Sequence, residues 1–375
     1  MGEATPLLRK TRGCLYGGAI GDALGAPAEW KTPAQIRDRY GAIESFVEPW
    51  DGPSPLGKGD GRYTDDTLMV QALGQVYREH GDHLDPFDFA RHIVPLIVDE
   101  ARWVPERGRE MPLVERLFYP EKWLLIRLRL ANADPRLGGI GNMVNCGAAM
   151  YAAPVGIVNA ADSDAAYREA IDVFSAHQWS YGLEAAGVMA ACVAEAFRPG
   201  ASVESIVATA LRLAKEGTRQ AIDAVVNQAA GLVDWREAIG PLRDAIRPFD
   251  GAAEAGPGDR GNETDDWRPS RLKSIEEVPI ALGFLVVAAG DFKQSVIGAA
   301  NYGRDNDSIA GMAGAIAGAL HGDDAVPPDW MRTIDEANRT DLGALAQSLS
   351  DLATTLQARQ FAAAETRAAA FRTLT

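Results

Sequence analysis

Apolar residues recur at helical spacing through most of this 375-residue chain, and this periodicity restricts its fold more than any other feature. Spacings of three and four residues place apolar side chains on one face of a helix. Alternating β-branched runs are few, and neither a strand–helix rhythm nor a repeat of fixed period appears. We therefore predict an all-α fold. The predicted helices are Leu8 to Ile20, Asp66 to His80, Pro86 to Trp103, Ser163 to Phe174, Tyr181 to Phe197, Val203 to Glu216, Gln220 to Val233, Ile275 to Ala289, Lys293 to Asn301, Ser308 to Leu320 and Leu342 to Ala369.

The charge of the chain limits its partners. The formal net charge is −15 at neutral pH, and such a field repels nucleic acid and anionic lipid unless a basic stripe is present. The arginines from Arg127 to Arg136 are spaced along an apolar segment, and we interpret them as a solvated helix face. We expect no nucleic-acid or membrane partner, whereas a divalent cation suits an acidic chain.

The three cysteines, Cys14, Cys146 and Cys192, are too dispersed for a disulfide framework or a zinc cage, and they fit a reducing compartment. The first ten residues lack the apolar core of a secretory signal. The longest apolar run, Val278 to Gly290, is too short to cross a bilayer. The sequence therefore indicates a cytoplasmic protein.

Long loops rich in glycine and proline separate the predicted helices, and segments of this kind tend to be functional or mobile. They are Gly21 to Pro33, Pro49 to Tyr63, Gly138 to Gly147 and Asp250 to Pro269. The last of them is expected to be the most mobile. Since no linker divides the chain, we predict a single domain over residues 1–375, with residues 340–375 forming a peripheral C-terminal helix.

Two acidic clusters stand directly before apolar helical runs: Thr64 to Thr67 (TDDT) and Asp305 to Ser308 (DNDS). Each cluster alone has a simple explanation, because Thr and Asp are favoured N-caps and carboxylates gain from the helix dipole. Together they offer carboxylate and hydroxyl oxygens, which suit Mg²⁺ or Mn²⁺. Packing so many carboxylates together without a cation would be costly.

The helix after Asp307 carries Gly311, Gly314 and Gly318 among alanines. These residues lower helix propensity but allow a second helix to approach closely. We expect the helix that begins near Asp65 to be that neighbour, although the glycines are also consistent with simple core packing.

Other catalytic motifs are absent from the sequence. There is no H-E-x-x-H, no Walker A pattern and no G-x-S-x-G. The segment from Asp305 does not fit an EF-hand, because Ile309 occupies a ligand position and no glutamate closes the loop. A further acid pair, Asp265 and Asp266, is followed by no helix start and is interpreted as a solvated loop.

Three segments together resemble the ADP-ribosylglycohydrolase family, which includes the dinitrogenase reductase-activating enzymes. GCLYGGAIGDALGAPAEW (Gly13 to Trp30) is similar to the family's opening G-x-x-x-G-D-x-x-G segment, and RYTDDTLMV (Arg62 to Val70) is similar to its first metal motif. NYGRDNDSIAGMAGAIAGALHG (Asn301 to Gly322) resembles its second metal motif, usually G-G-D-T-D-T. Each segment is weak alone, but the three in this order are specific.

The resemblance implies a compact all-α bundle that holds two divalent cations, Mg²⁺ or Mn²⁺. It implies that Glu29 approaches a metal or the ribose, and that Asp66 supports the ligands, with either acid accepting a proton from water. On its own, Glu29 is more simply interpreted as an exposed loop acid. The metal ligands implied by the resemblance are Thr64, Asp65, Asp66, Asp305, Asp307 and Ser308.

The resemblance also implies a phosphate-binding glycine loop and a histidine near the substrate, His177. The implied loop residues are Gly138, Gly139, Gly141 and Asn142. Taken alone, these glycines form a flexible turn and His177 lies at a helix end. The chain departs from the family here, because its loop is several residues longer and carries Cys146 and Tyr151 where Asn and Arg are common.

The implied reaction is hydrolysis at the anomeric carbon of an ADP-ribosyl group through an oxocarbenium-like state, with cations orienting the ribose and a water. Two alternatives remain open at this point. The altered loop favours a glycohydrolase of a smaller riboside or ribose phosphate, and a non-catalytic ADP-ribose-binding protein belongs to a different class. The sequence names neither the leaving group nor the oligomeric state.

Overall fold

The structure is a computed structural model, and it describes residues 4–249 and 275–375. Helices dominate it, and the strands in this described part form one antiparallel hairpin, β1 (Ala101–Val104) with β2 (Arg109–Pro112). The all-α prediction is therefore confirmed. The helices are α1 (Pro6–Gly25), α2 (Pro33–Tyr40), α3 (Asp65–His80), α4 (Pro86–Val98), α5 (Leu113–Arg116), α6 (Tyr119–Leu124), α7 (Ala153–Val158), α8 (Ser163–Phe174), α9 (Ser180–Ala196), α10 (Val203–Leu213), α11 (Glu216–Ala229), α12 (Trp235–Ile246), α13 (Glu277–Val287), α14 (Phe292–Asn301), α15 (Asn306–His321), α16 (Pro328–Asn338) and α17 (Leu342–Arg372).

Helices α1 and α15 form the most extensive helix pair in the described part of the chain. Glycines four residues apart line the contact face of α1, and a Cβ atom at any of them would overlap the backbone of α15. Gly314 and Gly318 meet α1 in the same way. Close backbone contact of this kind requires glycine, because any side chain would separate the helices. The glycines of α1 are Gly13, Gly17, Gly21 and Gly25.

The partner of the small-residue helix was predicted wrongly. Gly314 and Gly318 of α15 face α1, whereas α3 has a much smaller contact with α15, which includes the Ser308–Asp66 hydrogen bond. The opening segment of the chain carries its own row of glycines at helical spacing, which matches the row on α15. Two helices that are both free of side chains on one face can approach closely, whereas α3 presents larger side chains such as Leu68 and Met69.

Most predicted helices are present with shifted ends, but two predictions are wrong in length. The predicted helix from Pro86 to Trp103 ends at Val98, and Trp103 lies in β1. Pro95 lies in the final turn of α4 and has no backbone N–H to donate, so the helix is weakened there. The predicted helix from Val203 to Glu216 divides between α10 and α11. Short or proline-initiated helices such as α2, α6, α7 and α16 were not predicted.

The long loops and the C-terminal helix have different surroundings. The first half of α17 packs on α1, α3 and α7 through residues such as Leu349 and Leu356, and its residues from Gln357 onward are exposed. The predicted mobile loop Asp250 to Pro269 and the acid pair within it lie outside the described residues. No helix in the described ranges has the length and hydropathy needed to cross a membrane.

Candidate active site

The N-terminal ends of α3 and α15 meet and bring the two acidic clusters together. Ser308 Oγ donates a hydrogen bond to Asp66 Oδ1 over 2.7 Å, although the two residues are far apart in the sequence. Thr64 caps α3, and its Oγ1 lies 3.3 Å from Asp66 Oδ2. Both carboxylate oxygens of Asp66 therefore have a hydroxyl neighbour, and the helix dipoles of α3 and α15 both favour negative charge at this point.

Glu29 joins the second cluster. One carboxylate oxygen from each of Glu29, Asp305 and Asp307 lies within 4.8 Å of the others. The segment after Glu29 is held against the segment before Asp305 by two backbone hydrogen bonds. The Trp30 amide donates to the Arg304 carbonyl over 2.6 Å, and the Arg304 amide donates to the Lys31 carbonyl over 3.0 Å. Glu29 is therefore fixed beside the acids of α15 and is not an exposed loop acid.

Asp22 of α1 is a buried acid that the sequence analysis did not single out, although it is the aspartate of the opening G-x-x-x-G-D-x-x-G segment. Its carboxylate accepts hydrogen bonds from the backbone amides of Thr64 and Thr67 and from the Thr67 hydroxyl, at 2.6 to 3.1 Å. Burial, followed by the charge of Asp307, raises the pKa of Asp22 to about 7. Asp22 thus holds the start of α3 against the α1–α15 pair.

A cavity of about 200 Å³ opens in front of these acids. One wall, which we call the acid wall, consists of Glu29, Asp65, Asp66, Asp305, Asp307 and Ser308. A second part of the lining, which we call the loop wall, consists of Phe118, Tyr119, Pro120, Glu121, Met143, Asn145, Cys146 and Met150. Trp30 also lines the cavity.

Two basic side chains contact the carboxylates of the acid wall. Lys58 Nζ pairs with Glu29 and lies 3.5 Å from Asp307 Oδ2. Arg116 lies 2.8 Å from Asp65 Oδ1 and also pairs with Glu106. Both come from irregular or short segments that the sequence analysis left without a function. Burial alone would lower the pKa of each basic group, but the adjacent carboxylates outweigh it and raise both pKa values.

The acid wall contains more carboxylates than these two basic side chains can neutralise. Burial, followed by the charge of Asp307, raises the pKa of Asp305 to about 8. Burial and the neighbouring Asp22 and Asp307 raise the pKa of Asp66 well above its ordinary value. Carboxylates repel one another in this way when nothing compensates their charge. The donor set is mainly carboxylate and hydroxyl oxygen, so these residues fit a hard divalent cation.

The predicted metal ligands divide into two groups in the structure. Asp305 and Asp307 lie together with Glu29, and Asp66 lies with Ser308 and Thr64. Asp65 points to Arg116, as expected from the divergence of adjacent residues on a helix. The Asp65 charge is therefore already compensated by a buried guanidinium.

The structure does not bring the predicted substrate-binding residues into the cavity lining. The His177 side chain is fully buried; its Nδ1 lies 2.8 Å from the Tyr151 hydroxyl and its Nε2 lies 3.1 Å from the Pro120 carbonyl. Burial lowers the pKa of His177 to about 4, so it is a neutral core residue. The Asn142 side-chain amide donates to the carbonyls of Pro120 and His177.

The predicted glycine loop has a packing role in the structure. Gly138 and Gly139 lie against the backbone of residues 176–178, where a Cβ atom would overlap a carbonyl group. Gly141 adopts a φ of 87°, a left-handed conformation that favours glycine. The later part of the same loop, from Met143 to Cys146, lines the cavity instead.

Two aromatic residues of the loop wall were not predicted. Phe118 and Tyr119 are 52% and 51% exposed, which is unusual for large aromatic side chains beside a cavity. They precede and begin the short helix α6, and no periodic signal in the sequence distinguishes them from core residues.

Comparisons with known proteins agree with this architecture. The profile of the ADP-ribosylglycohydrolase family matches residues 3–359. The chain is similar to the ADP-ribosylarginine hydrolase Tri1 of Pseudomonas putida (strain GB-1), with 27% identity over 92% of this chain and 79% of that protein. It is also similar to the human ADP-ribosylhydrolase ARH3, with 26% identity over 91% of this chain and 93% of that protein.

A solved structure described as an ADP-ribosylglycohydrolase-related protein complex has the same fold. Its TM-score is 0.61 at 22% identity, and the match covers 92% of this chain and 99% of that chain. The family profile and the sequence relatives define a hydrolase that acts on glycosyl bonds. The chain belongs to the ADP-ribosylglycohydrolase family, as its motifs predicted.

Proposed function

We propose that this protein hydrolyses the glycosidic bond at the anomeric carbon of an ADP-ribosyl group, with divalent cations bound at the acid wall. The observation that carries the proposal is the convergence of Glu29, Asp305 and Asp307 with the Asp66–Ser308 pair in one cavity. Two helix N-termini supply these groups, so the negative charge and its position are set by rigid elements.

The oxygen ligands suggest two cation positions that share Asp307. Glu29, Asp305 and Asp307 would hold one cation, whereas Thr64, Asp66, Asp307 and Ser308 would hold the other. Divalent cations at such a site stabilise negative charge and lower the pKa of bound water. We assign Asp65 a lesser part than the motif implied, because Arg116 already compensates its charge.

Asp66 is the best-placed proton acceptor in this proposal. Ser308 and Thr64 orient its carboxylate, and its pKa is raised by burial and by nearby acids. Bound cations would keep this carboxylate ionised, and an ionised carboxylate in such surroundings is a stronger base than an exposed one. Glu29 is less free to accept a proton, because Lys58 pairs with it.

The size of the cavity indicates which part of the substrate it can hold. A drug-sized ligand fills roughly 300 to 1,000 Å³, whereas this cavity measures about 200 Å³. We infer that the ribose enters the cavity and that the rest of the ADP-ribosyl group extends towards solvent along the half-exposed lining residues Phe118 and Tyr119. The same volume favours a second candidate, a smaller riboside or ribose phosphate.

The proposal is tested by mass-spectrometric detection of ADP-ribose released from ADP-ribosyl conjugates, and of ribose or ribose phosphate released from simple ribosides, with and without EDTA. Asp307→Asn should lower cation-dependent hydrolysis by at least about 1,000-fold, because both cations lose a ligand. Asp329→Asn is the matched control, since this carboxylate is 82% exposed and does not line the cavity. Hydrolysis by this variant should equal that of the wild type.

Two results would reject the proposal. Full activity of Asp307→Asn, or full activity of the wild type after EDTA treatment, would show that the acid wall does not act through cations. Hydrolysis of ribosides or ribose phosphates without hydrolysis of any ADP-ribosyl conjugate would favour the second candidate. A purely binding role is disfavoured, because every acidic position of both metal motifs is occupied by an acid.

A further inference from the structure

A second group of potential metal ligands lies beside the acid wall and includes a thiol. One ligand atom from each of Cys146, Glu277 and Asp305 lies within 4.8 Å of the other two. Cys146 begins a short 3₁₀ segment, Cys146–Tyr151, whereas Glu277 begins α13 and Asp305 precedes α15. Three separate elements therefore converge on one point, and two of the three residues also line the cavity.

Glu277 has no obvious structural role. It is 2% exposed, and its Oε2 has no hydrogen-bond partner among the described residues. The adjacent Glu276 is buried to a similar degree, but the Tyr302 hydroxyl and Arg304 donate to its two oxygens over 2.7 and 2.9 Å. A buried carboxylate oxygen without a donor is costly, and it requires an explanation such as an ion.

Hydrogen bonding within the group explains only part of it. Cys146 Sγ lies 3.2 Å from Asp305 Oδ2 and 3.7 Å from Ser308 Oγ, so a buried thiol that donates to Asp305 accounts for these two residues. It leaves the Glu277 oxygen unexplained. The other cysteines, Cys14 and Cys192, belong to no comparable ligand group in the described part of the chain.

The spacing and the chemistry of the group suit a small transition-metal ion. Ligands at tetrahedral angles, with metal–sulfur and metal–oxygen lengths typical of zinc, lie about 3.5 Å apart. The Cys146–Asp305 separation of 3.2 Å is close to this value. A thiolate is a soft ligand, so it favours Zn²⁺ or Co²⁺ over Mg²⁺.

We propose that Cys146, Glu277 and Asp305 form a third cation site, selective for thiophilic divalent ions such as Zn²⁺. The ion displaces the thiol proton and any carboxyl proton to solvent and takes one sulfur and two carboxylate ligands. Its fourth position faces the cavity that Cys146 and Asp305 line. Asp305 belongs to this group and to the Glu29–Asp307 group, so the two ions share a ligand.

This sharing has a functional consequence. An ion at the thiol site draws on Asp305, and so Zn²⁺ weakens the binding of a hard cation at the acid wall. The chain would then respond to the ratio of thiophilic to hard cations. The site itself does not depend on the proposed hydrolysis, because its binding is measured without substrate.

The test is a titration of the metal-free full-length protein with Co²⁺, followed by competition with Zn²⁺. A thiolate ligand gives a charge-transfer absorption in the near ultraviolet, which oxygen ligands do not give. We expect this band to saturate at one Co²⁺ per chain and to be displaced by Zn²⁺. Cys146→Ser should abolish the band, and Glu277→Gln should weaken Co²⁺ binding at least about tenfold.

Cys192→Ser is the matched control, because it removes a fully buried thiol elsewhere and should leave the band intact. Circular dichroism of each variant establishes that it is folded, and the nearly isosteric Glu277→Gln provides an answer if Cys146→Ser does not fold. Absence of the band in the wild type, or an unchanged band in either site variant, would overturn the proposal. If the wild type showed the Co²⁺ band but no hydrolysis, the proposed function would be contradicted and the third cation site would not.

Discussion

The two walls of the cavity are built in different ways. The acid wall stands on the N-terminal ends of α3 and α15, and α1 holds both through its glycines and through Asp22. The loop wall consists of short helices and irregular segments, and its aromatic residues Phe118 and Tyr119 are about half exposed. Rigid elements thus position the groups proposed for the chemistry, whereas loops form the surface proposed for recognition.

This difference indicates where the protein tolerates change. A shift of the acid wall would separate ligands that must converge within a few ångströms. A change in the loop wall would alter which group is bound and leave the charges in place. Substitutions in the two walls should therefore have different effects, the largest of them at the contact that positions the acid wall.

The largest effect is expected at the α1–α15 contact. In Gly21→Ala the new Cβ atom overlaps the Ala310 carbonyl, so α1 and α15 must separate. This separation displaces the acidic side chains at the start of α15. We expect the free energy of unfolding to fall by at least about 2 kcal/mol, because overpacking outweighs the gain in helix propensity. Chemical denaturation measures this change, and cation affinity should fall in parallel.

Gly18→Ala is the matched control on the same helix. Its Cβ atom would lie 3.5 Å from the Ala315 Cβ, an ordinary van der Waals contact. The free energy of unfolding should stay within about 1 kcal/mol of the wild-type value, since alanine has the higher helix propensity. Equal losses in the two variants would show that the glycine contact does not set the acid wall.

A smaller effect is expected at the loop wall. Phe118→Ala should raise KM for an ADP-ribosyl substrate about tenfold and change kcat less than about threefold, because stacking on a base contributes roughly 1 to 3 kcal/mol. Steady-state kinetics measure both constants. Phe361→Ala is the control, since Phe361 is 63% exposed on α17 and does not line the cavity. A loss confined to kcat would contradict the division between the two walls.

The smallest effect is expected from pH in the absence of metal. Burial and like charges raise the pKa of Asp22 to about 7 and that of Asp305 to about 8, above the ordinary aspartate value of 3.8. The folded state therefore holds more protons than the unfolded state, and stability falls as pH rises through this range. His177 opposes this trend only below about pH 6.5, because its pKa is lowered from 6.5 to about 4.

Thermal unfolding in EDTA should accordingly show a Tm that falls by a few degrees between about pH 6.5 and 8. Mg²⁺ or Mn²⁺ should remove most of this decline, because cations stabilise the ionised carboxylates. A Tm that rises over this range in EDTA would contradict the assignment of raised pKa values to the acid wall.

Sequence reasoning located the acid wall more completely than the loop wall. The acids near residues 65 and 306 were predictable, because each follows a helix-start pattern and precedes a strong apolar period. Asp22 was visible as the aspartate of the opening motif, but it lies inside a helix, where no helix-start pattern marks it as a site residue. Lys58 and Arg116 were missed, because a basic residue in a loop or short helix is usually solvated.

The predicted substrate-binding residues remain a prediction, and the structure gives several of them a packing role as well. The glycines at 138, 139 and 141 are needed for backbone packing and for a left-handed turn, and both needs produce the same sequence as a phosphate loop. His177 looked like a helix-end residue but is fully buried with Tyr151. Burial depends on what packs above a residue, which a single segment does not reveal.

The amino-acid sequence alone determined the helical class, the positions of the acid clusters at helix starts and the membership of the family. Periodicity, capping and motif order are local properties, so they can be read along the chain. Only the tertiary structure decided that α1 is the partner of α15, that Asp65 faces Arg116, and that Cys146 and Glu277 meet at Asp305. These pairings join segments that are distant in the sequence. They depend on how closely the surfaces of the folded chain fit together, which no single segment reveals.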